Sequence, residues 1–173
     1  PLELEPVVAC VRITSTTEAS DTADARTRTV HTAVQKNQRT RVTTAELQTV
    51  YQYNARLQPT RIDAQDLGSE ETRTTLLAYC AAGEPDCGPA RTLSSLTDGN
   101  GNTTRYAYHA QDDAGCADSN GPCAYRAGDL KSITNAAGHS HHFDAYDALG
   151  RLLRERDSNG VVREDSFHAP GWL

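Results

Sequence analysis

Three stretches of this chain can be laid over one another residue for residue. Counting from Gly150, Leu152 stands at +2, Asp157 at +7 and Gly160 at +10. The same offsets from Gly128 fall on Leu130, Asn135 and Gly138, and from Arg91 on Leu93, Asp98 and Gly101. Agreement of three registers over ten residues marks a chain assembled from repeated units, each of which buries its apolar face only against its neighbours.

Each unit reads as a β-hairpin step. A leading aromatic (Tyr53, Tyr79, Tyr108, Tyr146, Phe167) closes a strand-like run such as Thr103–Tyr108, where the two-residue period of a strand puts Thr104, Tyr106 and Tyr108 on one face. Asp147-Ala148-Leu149-Gly150 then turns the chain: the Asp side chain bonds backbone two residues on, and Gly accepts the positive φ that closes a hairpin. A short second strand, Leu152 to Glu155, follows. The next turn, Asp157-Ser158-Asn159-Gly160, carries the Asn-Gly hairpin signal. The predicted fold is all-β, with short antiparallel strands in a meander and hairpin tips projecting to one edge.

The run Tyr146-Asp147-Ala148-Leu149-Gly150-Arg151-Leu152, preceded by Asn135-Ala136-Ala137-Gly138, resembles the YD (tyrosine–aspartate) repeats of the RHS protein family. A second match, Tyr53-Asn54-Ala55-Arg56-Leu57-Gln58-Pro59, has Leu57 in the place of the family's Gly. The Asp position is filled by Asn54, Cys80, His109 and His168 in other copies, so its role is read as turn chemistry. The resemblance implies a spiralled β-sheet shell that encloses cargo, commonly a C-terminal toxin or effector domain. It also implies that these residues are wall material and not an enzyme. The self-cleaving aspartyl site of some members is not visible in this sequence. The alternative is an extracellular adhesive protein whose YD repeats bind carbohydrate or a cell surface, self-associating into filaments.

Two regions are expected: a strand-rich, Thr- and Arg-rich segment over 1–46, with a decayed repeat from Val34 to Val42, and the repeat region proper over 47–173 with two Cys-bracketed insertions. Val34 takes the aromatic place in the decayed copy. Thr43–Gln48 stays extended, and Asp63–Thr72 forms a polar connection. The absence of Met, the start at Pro1 and the end at Gly171-Trp172-Leu173 partway into a repeat suggest a piece of a longer polypeptide, whose remainder is its first expected partner. Unpaired strand edges at both ends would invite self-association. A net charge of −6 argues against nucleic-acid binding, which needs clustered Lys and Arg. No apolar run approaches the ~18–20 residues of a membrane span.

Cys80 and Cys87 bracket six residues, as do Cys116 and Cys123. At hairpin tips such pairs suit local disulfides, each worth about 2–3 kcal/mol in the chain-entropy model. Free thiols, or one zinc ion on four thiolates, are the alternatives, the latter disfavoured because zinc ligands pair two to four residues apart. Disulfides would imply a secreted or bacterial envelope location. Cys10 is left without an evident partner. His139, His141 and His142 cluster near Asp144, but on a strand only His139 and His141 share a face, and a third ligand is not identifiable. They are read as polar side chains of a wet sheet face. Gly-x-Ser-x-Gly and His-Glu-x-x-His patterns and phosphate-cradling loops are absent. No catalytic residue, cofactor or metal is therefore predicted.

Overall fold

The computed structural model describes residues 11–18, 26–33, 38–81, 83–88, 91–117 and 123–167. Gly171, Trp172, Cys10 and Val34 lie outside them. The described residues form twelve strands and one 3-10 turn (Ala114–Ala117), with the first six strands and the last six each pairing antiparallel in sequence order, so the fold is all-β as the repeat predicted.

The strands fall into two compact units. The first runs through Leu76 and includes Asp98–Asn100. It holds β1 (Val11–Glu18), β2 (Arg26–Ala33), β3 (Gln38–Thr43), β4 (Leu47–Tyr53), β5 (Pro59–Asp66) and the start of β6 (Thr72–Tyr79). The second takes Leu77–Thr97 and the chain from Gly101 onward. It holds β7 (Leu93–Thr97), β8 (Thr103–Tyr108), β9 (Leu130–Thr134), β10 (Ser140–Tyr146), β11 (Leu152–Arg156) and β12 (Val162–Glu164). β-branched Thr and Val supply the strand preference. Thr and Ser also pair across strands by hydroxyl bonds: Ser15–Thr29 at 3.0 Å, Thr97–Thr103 at 2.8 Å and Thr134–Ser140 at 2.8 Å.

Asp63 lies in β5, not in a polar connection, and the connection itself narrows to residues 67–71. The strand tolerates the carboxylate because Thr74 Oγ1 donates to it at 2.6 Å and Arg61 Nε at 2.8 Å.

Burial alternates along β3 from Gln38 to Arg41 but not along every strand. Every residue of β7 and of β10 is half-buried. Among the described residues the buried hydrophobic set is Val42, Cys80 and Cys87. So small a buried set gives the described strands no thick core, and their order comes from backbone ladders and from the side chains that tie them together.

Candidate functional site

The repeat side chains are spent on the backbone. In the hairpin between β10 and β11, Asp147 N–H donates to the Arg151 carbonyl and Gly150 N–H to the Asp147 carbonyl. Asp147 Oδ1 accepts from the N–H of Leu149 and of Arg151, each at 2.9 Å. Asp157 Oδ1 does the same for Asn159 and Val161, and Asn135 Oδ1 for Ala137 and His139. Asn54 Oδ1 does it for Arg56 and Gln58. The fourth residue of each turn carries the positive φ: Gly150 76°, Gly160 83°, Gly138 84° and Leu57 65°. This is the three-residue hairpin loop, a type I turn closed by a left-handed residue. Asn159-Gly160 is therefore not a two-residue primed turn, because Asn159 has no positive φ.

The two insertions keep that closure and change what lies inside it. Cys80 N–H donates to the Thr92 carbonyl, Arg91 N–H donates back to Cys80, and Arg91 has φ 106°. His109 N–H donates to Asp129, Gly128 N–H donates back to His109, and Gly128 has φ 97°. Arg91, Gly128 and Gly150 are thus equivalent positions, as their shared sequence register implies. Cys80 and His109 occupy the place of Asp147.

Three of the repeat tyrosines are locked through their hydroxyls. Tyr146 Oη donates to the Leu130 carbonyl at 2.6 Å, Tyr108 Oη to Leu93 at 2.9 Å and Tyr53 Oη to Arg39 at 2.7 Å. Leu130 and Leu93 are the +2 residues of the repeat, so Arg39 takes the Leu place in the first segment. Strand register agrees. Tyr146 faces Leu152, Tyr108 faces Leu130 and Tyr53 faces Pro59, each beside a bulge. Thr32 faces Arg39 beside a bulge of the same kind, a register like that of the tyrosines. Phe167, lacking a hydroxyl, instead packs under the Arg151 guanidinium, 4.2 Å from its ring centre. Burial raises the phenol pKa of Tyr53, Tyr79 and Tyr108, and that of Tyr146, with the charge of Asp129 adding to it, to about 12.

Cys80 and Cys87 lie at disulfide distance, 2.08 Å, as do Cys116 and Cys123 at 1.95 Å. A described residue beside each bridge caps the next repeat tyrosine: the Asp86 carbonyl accepts from Tyr108 N–H, and the Ala124 carbonyl from Tyr146 N–H, both at 2.7 Å. The bulges at Ala107/Tyr108 and Ala145/Tyr146 break the ladder there, and the insertion supplies the missing acceptor. Lys131 Nζ adds an exposed ion pair to Asp86 at 2.5 Å. Inside the second insertion His109 stacks on Tyr125, ring centres 3.6 Å apart. Burial holds the His109 pKa below its ordinary value, opposed by a bond to the Phe143 backbone, and its Nε2 is buried without a partner.

His139, His141 and His142 do not converge. His141 Nε2 meets Glu155 at 3.0 Å, while His139 and His142 line an open groove beside Arg156 and Asp157. Among the described residues no three His, Cys, Asp or Glu side chains form a metal-binding group. No helix among them is long and apolar enough to cross a membrane. The role of Asn135 and the capping partners Asp86 and Ala124 were missed from sequence. The offset from Gly128 to Asn135 was the available signal for the first; the other two act through backbone carbonyls and leave none. Compared with known proteins, residues 125–162 match the family model described as RHS Repeat. No curated protein matches the chain.

Proposed function

We propose that this chain, an RHS/YD-repeat protein by the match over residues 125–162, is a wall segment of a β-shell enclosing a C-terminal toxin or effector domain. On this reading it is part of a longer, secreted or envelope-located polypeptide, performs no reaction, and has the rest of that polypeptide as its main partner. The carrying observation is that the repeat side chains close onto the chain's own backbone. Tyr53, Tyr108 and Tyr146 donate to carbonyls, and Asn54, Asn135, Asp147 and Asp157 accept from turn amides. That spends polar chemistry on rigidity and leaves little for a ligand.

The test is limited proteolysis of the parent polypeptide with its downstream sequence in place. A domain after the repeats should resist protease while the repeat region is folded. It should become cleavable when Tyr146→Ala and Tyr108→Ala open the repeats. A downstream segment cut equally fast in both proteins, or micromolar binding of a glycan by the isolated chain, would overturn the wall reading in favour of adhesion.

A further inference from the structure

The two sulfur bridges differ in their surroundings. Cys80 and Cys87 are 1% and 6% exposed, and a Glu84 carboxylate oxygen stands 3.4 Å from Cys87 Sγ. Burial blocks an attacking thiolate, and the neighbouring carboxylate disfavours a second negative charge on the departing sulfur. Cys116 and Cys123 are half-buried. Their sulfurs lie 3.2 and 3.6 Å from the Tyr125 carbonyl, an acceptor ready for a thiol hydrogen on either. The second bridge is thus the more accessible, and its reduced form has a bond waiting.

Cys123 also directly precedes Ala124, whose carbonyl holds the Tyr146 amide. Beyond the bridge, Ala124 is positioned by its own N–H on Asp113 Oδ2 at 3.1 Å and by Asp113 N–H on Tyr125 O at 3.0 Å. These are ordinary hydrogen bonds at the edge of a loop, and they open far more readily than a covalent tie.

We propose that Cys116–Cys123 is a thiol-reducible lock on the Tyr146 hairpin, whereas Cys80–Cys87 is a tie that persists under the same reductant. The reductant is a small thiol of the glutathione or dithiol class. Its thiolate attacks one sulfur of the bridge to give a mixed disulfide, and a second thiol resolves it. Cys116 and Cys123 leave as two thiols, and two reductant thiols become one disulfide, a two-electron exchange with protons balanced. Only the consequence rests on the wall reading: a shell made in an oxidising compartment would loosen at this hairpin on reaching a reducing one.

The experiment titrates the full chain with dithiothreitol, traps free thiols with iodoacetamide, and reads backbone amide exchange at Tyr146 and Tyr108. Cys116 and Cys123 should be trapped at lower dithiothreitol than Cys80 and Cys87. Exchange at Tyr146 should then rise at least tenfold while Tyr108 is unchanged. The double variant Cys116→Ser with Cys123→Ser should show the same selective rise without reductant. Simultaneous or reversed trapping, or an unchanged Tyr146 amide once Cys116 and Cys123 are reduced, would overturn the lock. These readouts concern the chain alone, so they stand or fall independently of any cargo.

Discussion

Leu57 occupies the left-handed turn position that Gly138, Gly150 and Gly160 fill in the equivalent hairpins, with φ 65° on a side chain 44% exposed. A β-carbon there costs about 1–2 kcal/mol, partly offset by the greater freedom glycine has when unfolded. Leu57→Gly should therefore raise stability by about 0.5–1 kcal/mol, read as a higher urea midpoint at unchanged slope. The converse, Gly150→Ala, meets no atom within 4 Å, so its loss would report the φ cost net of the unfolded-chain term, free of any steric clash. Tyr146→Phe removes the bond to Leu130 and should cost about 1 kcal/mol. The same phenol predicts an alkaline limit. Its folded pKa of about 12 lies above its ordinary value, so the unfolded chain ionises first. The stability it contributes is whole below pH ~10 and is lost as pH rises toward the folded value. In Tyr146→Phe the unfolding midpoint should fall less steeply over that interval; an identical alkaline slope would contradict the assignment.

Hairpin turns carry the corresponding acid limit. Hydrogen bonds from the Arg151 and Val161 amides hold the carboxyls of Asp147 and Asp157 below their ordinary pKa, and the Ser69 amide does so for Asp66. Depressed folded values mean stability present above pH ~3.9 and lost as pH falls through the folded pKa. Asn54 and Asn135 accept the same pair of amides through an uncharged oxygen. Asp147→Asn should thus keep the turn at pH 7 and flatten the acid dependence, whereas Asp147→Ala should lower the urea midpoint at every pH. Equal loss in both variants would mean that the charge, and not the acceptor geometry, closes the turn.

At the scale of the whole molecule, β12 is last in the strand order of the described residues, and Val162 within it and Val161 before it are 43% and 64% exposed. Such an edge templates further pairing. Association rising with concentration in sedimentation is expected, and Val162→Lys should suppress it; a monomer at all concentrations would contradict pairing through this edge.

What the residue pattern determined alone is the hairpin step: strand, Asp- or Asn-led turn, left-handed closure and the register from Arg91 through Gly160. Those are local interactions within five residues, so local sequence encodes them. Even the odd member, Arg91, was placed by its offsets, and its φ of 106° shows why that position is marked. Tertiary structure alone decided where the tyrosine hydroxyls go and that Asp86 and Ala124 cap the tyrosine amides. Tyr146 reaches Leu130 across sixteen residues, and Ala124 reaches Tyr146 across a bulge. Both partners are backbone carbonyls, which every residue has, so no side-chain pattern can announce them. The bulge between His31 and Thr32 has the same cause: it shifts register without changing composition.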